Sequence, residues 1–222
     1  MAFTFRSSTQ AQSATCAKPA GAVSGDFLTA FVLTAEDDDI TPPTGFEPDA
    51  FFDDTLYGDV LRLRIYSKIA GGSEPDNYVW TDYTGSFIYT AISCWNQPTN
   101  PEYAGVAGMA ESEAAPTTLA AAQVTTPVDG CLIVYGLAAD GTNTWSGPGA
   151  PVTVRASDNG QGFADEVQAS AGLSASRTFT CADAGGVLKI SLTAAYRETA
   201  GEAGISIPRP LSRPFGGPLG GL

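Results

Sequence analysis

The chain reads as an all-β, jelly-roll-like antiparallel sandwich built from two similar Greek-key halves, with extended N- and C-terminal arms. Three observations carry that reading. Runs rich in Val, Ile, Thr, Tyr and Phe are bounded by Gly, Pro, Asn and Asp clusters at intervals of roughly 8 to 12 residues, the spacing of sandwich strands. Within several runs apolar and polar residues alternate, as successive side chains on a strand point to opposite faces. The pattern of the first half then returns after about a hundred residues, the mark of an internal repeat. At 222 residues the chain is long enough for one such domain with a substantial core.

Residues 1–17 hold two short extended runs, AFTFR and SATCAKP, which read as an N-terminal arm or edge strands before the break at Pro19-Ala20-Gly21. The sandwich itself is expected over residues 18–197. Asp26 to Thr34, DFLTAFVLT, is apolar at nearly every position, which fits a central strand buried on both faces better than an amphipathic helix. The stretch from Ala35 to Gly58, rich in Asp, Pro and Gly, reads as a long loop. From Asp59 to Cys94, three β-rich runs separated by Gly71-Gly72-Ser73 and Tyr83-Thr84-Gly85 read as an antiparallel meander. Its first run sets Leu61, Leu63 and Ile65 on a core face, opposite Arg62, Arg64, Tyr66 and Lys68.

Residues 97–128 are poor in large apolar residues and read as a crossover between a half at 18–96 and a half at 129–197, with one short helix near Gly105 to Ala114. After it, DGCLIVYGLAAD echoes GDFLTAFVLTAE, setting Phe27, Phe31 and Leu33 against Cys131, Tyr135 and Leu137. The run NYVWTDY matches SRTFTCA, and TGSFIYTAIS matches AGGVLKISLTAAY with Gly85 on Gly186, while ADEVQASAG fits RLRIYSKIAGG poorly. Leu188, Ile190 and Leu192 define a core face, so Phe87, Tyr89 and Ala91 are expected on the matching face, with Cys94 turned outward. One shared core is expected to hold Phe31, Leu61, Leu63, Leu188, Ile190 and Leu192. Residues 198–222 read as a Pro/Gly-rich arm, because each proline withholds a ladder donor, with a disordered tail as the plainer alternative.

Composition bounds function mainly by exclusion. With 24 acidic against 11 basic side chains and a net charge of -13, neither a nucleic acid nor an anionic membrane is an expected partner. No basic-then-apolar leader opens the sequence and no apolar run is long enough to cross a bilayer, so synthesis in the cytoplasm without a Sec signal is expected. The chain has no histidine, which removes Ser-His-Asp and Cys-His pairs and imidazole bases, and no phosphate-binding glycine loop is present. An enzyme is not expected, nor is a cofactor. The four cysteines, Cys16, Cys94, Cys131 and Cys181, are too dispersed for a zinc motif and read as buried or half-buried thiols, with a disulfide formed after release from the cell as the alternative.

Four features remain as candidate sites. Glu36-Asp37-Asp38-Asp39, with Asp49, Asp53 and Asp54 nearby, offers oxygen ligands for calcium, though the simpler reading is a solvated loop and no metal site is assigned. Trp80, Trp95 and Trp145 either close the ends of the sandwich or, if exposed, stack on a sugar. Arg62, Arg64 and Lys68 form a basic stripe in an acidic chain, read either as a solvated face or as a contact with the acidic surface of another copy. The arm carries Arg209, Leu211, Arg213, Phe215 and Leu219, a pre-extended segment suited to docking.

The segments PAGAVSGDFLTAFVLT, TPPTGFEP, LRLRIYSKIAGGSEPDNYVWTDYTGSFIYTAIS and VDGCLIVYGLAAD with WSGPG resemble a family of β-sandwich domains in virion proteins of tailed phages. The resemblance covers most of residues 17–197, with Phe46 where the family commonly has Trp. It implies a non-enzymatic structural component of the particle, a head decoration or tail or fibre protein. Such a protein would be located in the virion, form a homo-oligomer, and bind its own copies and other virion proteins. A carbohydrate-binding adhesin domain for host surface glycans is the alternative.

Overall fold

The computed structural model describes residues 3–35, 40–54, 61–85, 87–96, 98, 100–112, 117–139, 144–182 and 188–199. All regular structure among them is β. The first half contributes β1 (Phe5–Ala11), β2 (Thr15–Ala17), β3 (Phe27–Ala35), β4 (Glu47–Asp54), β5 (Leu61–Ile69), β6 (Asn77–Val79) and β7 (Ile88–Trp95). The second contributes β8 (Pro101–Ser112), β9 (Thr118–Ala121), β10 (Thr125–Thr126), β11 (Cys131–Ala139) and β12 (Trp145–Ser146). It continues with β13 (Thr153–Asp158), β14 (Gln161–Gln168), β15 (Gly172–Leu173), β16 (Arg177–Cys181) and β17 (Lys189–Glu198).

Two five-stranded antiparallel sheets face each other, and each half of the chain builds one of them. The orders are β1-β7-β3-β5-β4 and β8-β17-β11-β14-β13, so strand for strand the two sheets have the same topology. Registers make the equivalence exact at the residue level. Phe31 lies beside Ala91 and Ile65, as Gly136 lies beside Leu192 and Phe163. The edge strands β4 and β13 carry a bulge at the same level, between Pro48 and Ala50 and between Val154 and Ala156. Between the sheets lies one core, which contains all six residues expected to share it: Phe31, Leu61, Leu63, Leu188, Ile190 and Leu192. Ala91 is in that core with Phe87 and Tyr89 packed against it, and Cys94 points to the opposite face, as the repeat requires.

The equivalent positions Phe31 and Gly136 meet at the centre. A Cβ on Gly136 would stand 2.1 Å from the Phe31 ring, so the ring fills the space that the glycine leaves. The repeat is therefore asymmetric at its axis, large against none.

Each sheet also has a buried outer face. The ribbon β2-β6 and the 40–46 segment cover the first, enclosing Leu28, Val32, Phe46, Tyr78, Trp80 and Ile92. The small sheet β12-β16-β9 covers the second, enclosing Ile133, Tyr135, Leu137, Trp145 and Phe179. This four-layer arrangement is why β3 and β11 are apolar along their whole length. Each cover is tied down by a carboxylate. Glu74 accepts from Lys68 Nζ at 2.9 Å, Tyr78 Oη at 2.8 Å and the Gly71 N–H at 2.6 Å. In the second half Glu166 accepts from Tyr135 Oη and from the Arg177 guanidinium.

Several expectations are corrected. The runs from Asp59 to Cys94 do not form a meander: β3 lies between β5 and β7, and β6 leaves the sheet to pair with β2. A strand apolar on both faces gains most in the centre of a sheet covered on both sides, so β3 displaces its sequence neighbours there. The loop assigned to Ala35 to Gly58 contains β4, an edge strand whose Pro48 and bulged Asp49 disguise the alternation carried by Ala50 and Phe52. The crossover at 97–128 and its helix are replaced by β8, β9 and β10. Small residues there serve close packing, as a Cβ on Gly108 would stand 2.8 Å from that of Ala122. The match of Phe27, Phe31 and Leu33 to Cys131, Tyr135 and Leu137 is one residue out. The first three face the central core, whereas Tyr135 and Leu137 face the outer layer.

Candidate functional site

Because the halves are related by a pseudo-twofold axis, the sandwich has two equivalent seams where an edge strand of one half meets an edge strand of the other. At the first, Tyr196 Oη of the second half donates to Asp49 Oδ2 on β4 at 2.8 Å, closing the interior with a buried pair. At the second, β1 meets β13. Here Ser8 Oγ donates to the Arg155 carbonyl at 3.2 Å and Gln12 Nε2 to Asp158 Oδ2 at 3.1 Å. Arg155, in the β13 bulge, stacks over the Phe5 ring at 3.7 Å and forks onto Asp165. Burial pushes the Asp165 carboxyl up, and Arg155 opposes that rise.

Beside this second seam a shallow cleft of 330 Å³ opens, lined by Gln10, Ala11, Gln12, Tyr89, Asp158 and Gln161. Gln161 projects from β14 into the end of the sandwich and is only 4% exposed. Among the described residues its Nε2 has no hydrogen-bond partner. An unsatisfied buried amide donor costs about 1–3 kcal/mol, so a folded chain keeps one where something else is gained. Burial, and secondarily the Asp158 carboxylate, pushes the Tyr89 phenol up, so the ring stays neutral and can still donate.

The other half shows what these positions hold when nothing but packing is required. Superposing the registers places Gln161 on Leu63, Asp158 on Phe52, Tyr89 on Ile190 and Gln10 on Met109. Leu63, Phe52 and Ile190 are buried members of the central core. At these four positions one seam carries apolar side chains, whereas its twin carries amides, a carboxylate and a phenol. None of the residues Gln10, Gln12, Asp158 and Gln161 was singled out by the sequence. The signal existed in the repeat, but it needs the correct register, which the poor match of ADEVQASAG hid.

The residues that the sequence did single out are not brought together here. Lys68 is held by Glu74 and stands 5.4 Å from the ring centroids of both Phe46 and Tyr78, so the basic stripe is not one open face. Arg62 and Arg64 are half-buried on the outer side of β5, and Arg64 lines a hollow with Pro42, Pro48, Phe51 and Tyr66. Burial lowers the Arg62 pKa, with Arg64 adding to the effect. Trp80, Trp95 and Trp145 are all buried, and Trp145 Nε1 donates to the Gly160 carbonyl at 2.9 Å, so none offers a face to a sugar.

All four cysteines are free and buried. Burial, and then the Asp26 carboxylate beside it, push the Cys94 thiol up to about 12, leaving it an inert thiol. Among the described residues no three acidic or thiol side chains gather as a metal site. Asp49 is occupied by Tyr196; residues 36–39 and the side chains of Asp53 and Asp54 lie outside the described residues. The arm residues Arg209, Leu211, Arg213, Phe215 and Leu219 lie outside them as well. No helix among the described residues is long and apolar enough to cross a membrane. Comparison with protein-family models, curated proteins and solved structures returned no match.

Proposed function

We propose that the chain is a non-enzymatic structural subunit of an assembled particle, a virion component of the tailed-phage kind that binds copies of itself and other virion proteins. The sequence resemblance and the sandwich architecture support this reading, and the observation that carries it is β8. Among the described residues this twelve-residue strand is hydrogen-bonded on one side only, to β17. Gly105, Ala107 and Met109 on its inner side are exposed, Met109 at 50%. A long edge with small residues and an exposed methionine is a template for a further strand, and proteins that must stay monomeric usually block such edges with charge, proline or cover. The arm at 198–222, through Arg209, Leu211, Arg213, Phe215 and Leu219, is the second contact in this reading.

The test places lysine on the edge. In Ala107→Lys/Met109→Lys, circular dichroism and thermal stability are expected to stay as in the parent, while self-association by light scattering and incorporation into particles fall. Unchanged association in the double variant and in a chain ending at residue 199 would overturn the reading.

A further inference from the structure

We propose that the cleft at the β1–β13 seam binds a neutral saccharide ring, with Asp158 and Gln161 as the principal hydrogen-bonding residues and Tyr89 as the apolar wall. The site is independent of the particle reading, since a subunit of any assembly could carry it.

Three observations converge on it. The first is divergence from the twin seam. Four positions that are Leu63, Phe52, Ile190 and Met109 in one seam are Gln161, Asp158, Tyr89 and Gln10 in the other. At these four positions the twin seam is apolar, so packing alone does not call for amides and an acid there. The second is Gln161 itself, a cleft-lining residue at 4% exposure whose buried Nε2 has no partner among the described residues. The third is the open, shallow form of the cleft, whose 330 Å³ lies at the small end of the range for ligand sites and suits one or two sugar rings.

The lining chooses among ligand classes. It contains no cation, it contains Asp158, and the chain carries a net charge of -13, so phosphates, sulfates and carboxylates are disfavoured. Gln10, Gln12 and Gln161 each present a donor and an acceptor side by side, and Asp158 accepts only. Adjacent hydroxyls on a pyranose, each able to donate to one group and accept from another, complement that set. The C–H face of the same ring would lie against Tyr89, which packs on Phe87 with centroids 5.3 Å apart and is thereby held in place. Gln12 and Asp158 already share a hydrogen bond across the seam, so both partners are oriented before a ligand arrives.

The experiment is a nitrogen-resolved NMR titration of the full chain with the methyl pyranosides of glucose, galactose, mannose, rhamnose and N-acetylglucosamine, followed by a glycan array of bacterial surface oligosaccharides. The expected result is a saturable shift of the Gln161 side-chain amide with at least one pyranoside, and array binding of oligosaccharides that contain it. Gln161→Leu, which installs the residue of the twin position, should weaken that binding by about tenfold, as loss of a hydrogen bond to a buried polar group does. Its melting temperature should be equal or higher. Asp158→Ala, at an exposed position, should weaken binding similarly and covers the case in which Gln161→Leu fails to fold. The proposal is overturned if no saccharide in either format shifts or binds, if both variants bind as well as the parent, or if shifts at the cleft follow protein concentration alone, which would make the seam a contact between copies.

Discussion

At the level of single residues, the most constrained point is the meeting of Phe31 and Gly136 on the pseudo-twofold axis. A methyl group at Gly136 would stand 2.1 Å from one ring carbon and 2.3 Å from the next, and the ring is enclosed on all sides by the central core. Overpacking of this kind typically costs about 1–3 kcal/mol through forced side-chain and backbone shifts. Gly136→Ala is therefore expected to lower the urea midpoint by at least that equivalent. Adding Phe31→Leu should recover part of the loss, so that the two changes are strongly non-additive in a double-mutant cycle. Additive costs would mean that the ring relaxes elsewhere. The cysteines test a different property of single residues. With four buried thiols, Cys94 raised to about 12, the native protein is expected to resist maleimide until denaturant unfolds it.

Among the elements, the cover of the first sheet depends on the Glu74 carboxylate, whose titration should be visible in stability. Burial pushes the Glu74 carboxyl up, but the Gly71 N–H, Lys68 and Tyr78 together outweigh it and hold its pKa below the usual value. A depressed folded-state pKa contributes stability that is present above the unfolded value and is lost as pH falls through the folded one. Glu74→Gln should accordingly be less stable than the parent at neutral pH. The gap should narrow as pH falls below the ordinary glutamate range, checked by urea unfolding at neutral and acid pH. A gap independent of pH would show that the glutamate acts only through shape. Elements also mark where the sequence was legible. β5, β7 and β17 announce their faces by period, and β3 and β11 announce burial on both sides by near-continuous apolarity without saying which face is which. Their order is not announced, because β3 pairs with strands on both sides through contacts distant in sequence. Strands such as β4 and β8 are obscured by a bulge or by small residues whose role is close approach. The cleft was least legible: Gln161 and Asp158 are ordinary polar residues until the registers make them the counterparts of Leu63 and Phe52 in the other half.

For the molecule as a whole, the duplication makes a prediction about how it can be divided. Each sheet is made entirely from one half, and among the described residues no ladder pairs a strand before Asn96 with one after Asn100, so a break between the halves severs no ladder. Neither half can bury its inner face alone, because that face is one wall of the single core between the sheets. Nor can either half substitute for the other by pairing with itself. Two first halves would set Phe31 against Phe31 on the axis, and two second halves would set Gly136 against Gly136 and leave a void where the ring belongs. The seams add to this selectivity, since Tyr196 needs Asp49 and Gln12 needs Asp158 across the halves. Residues 1–98 and 99–222 produced as separate chains should each lack a cooperative thermal transition. When mixed they should form a one-to-one complex that melts cooperatively and elutes at the size of the intact protein. A cooperative homodimer of either fragment would contradict the asymmetric axis, and failure of the mixed pair with intact Phe31 and Gly136 would mean that the link itself is needed to bring the sheets together.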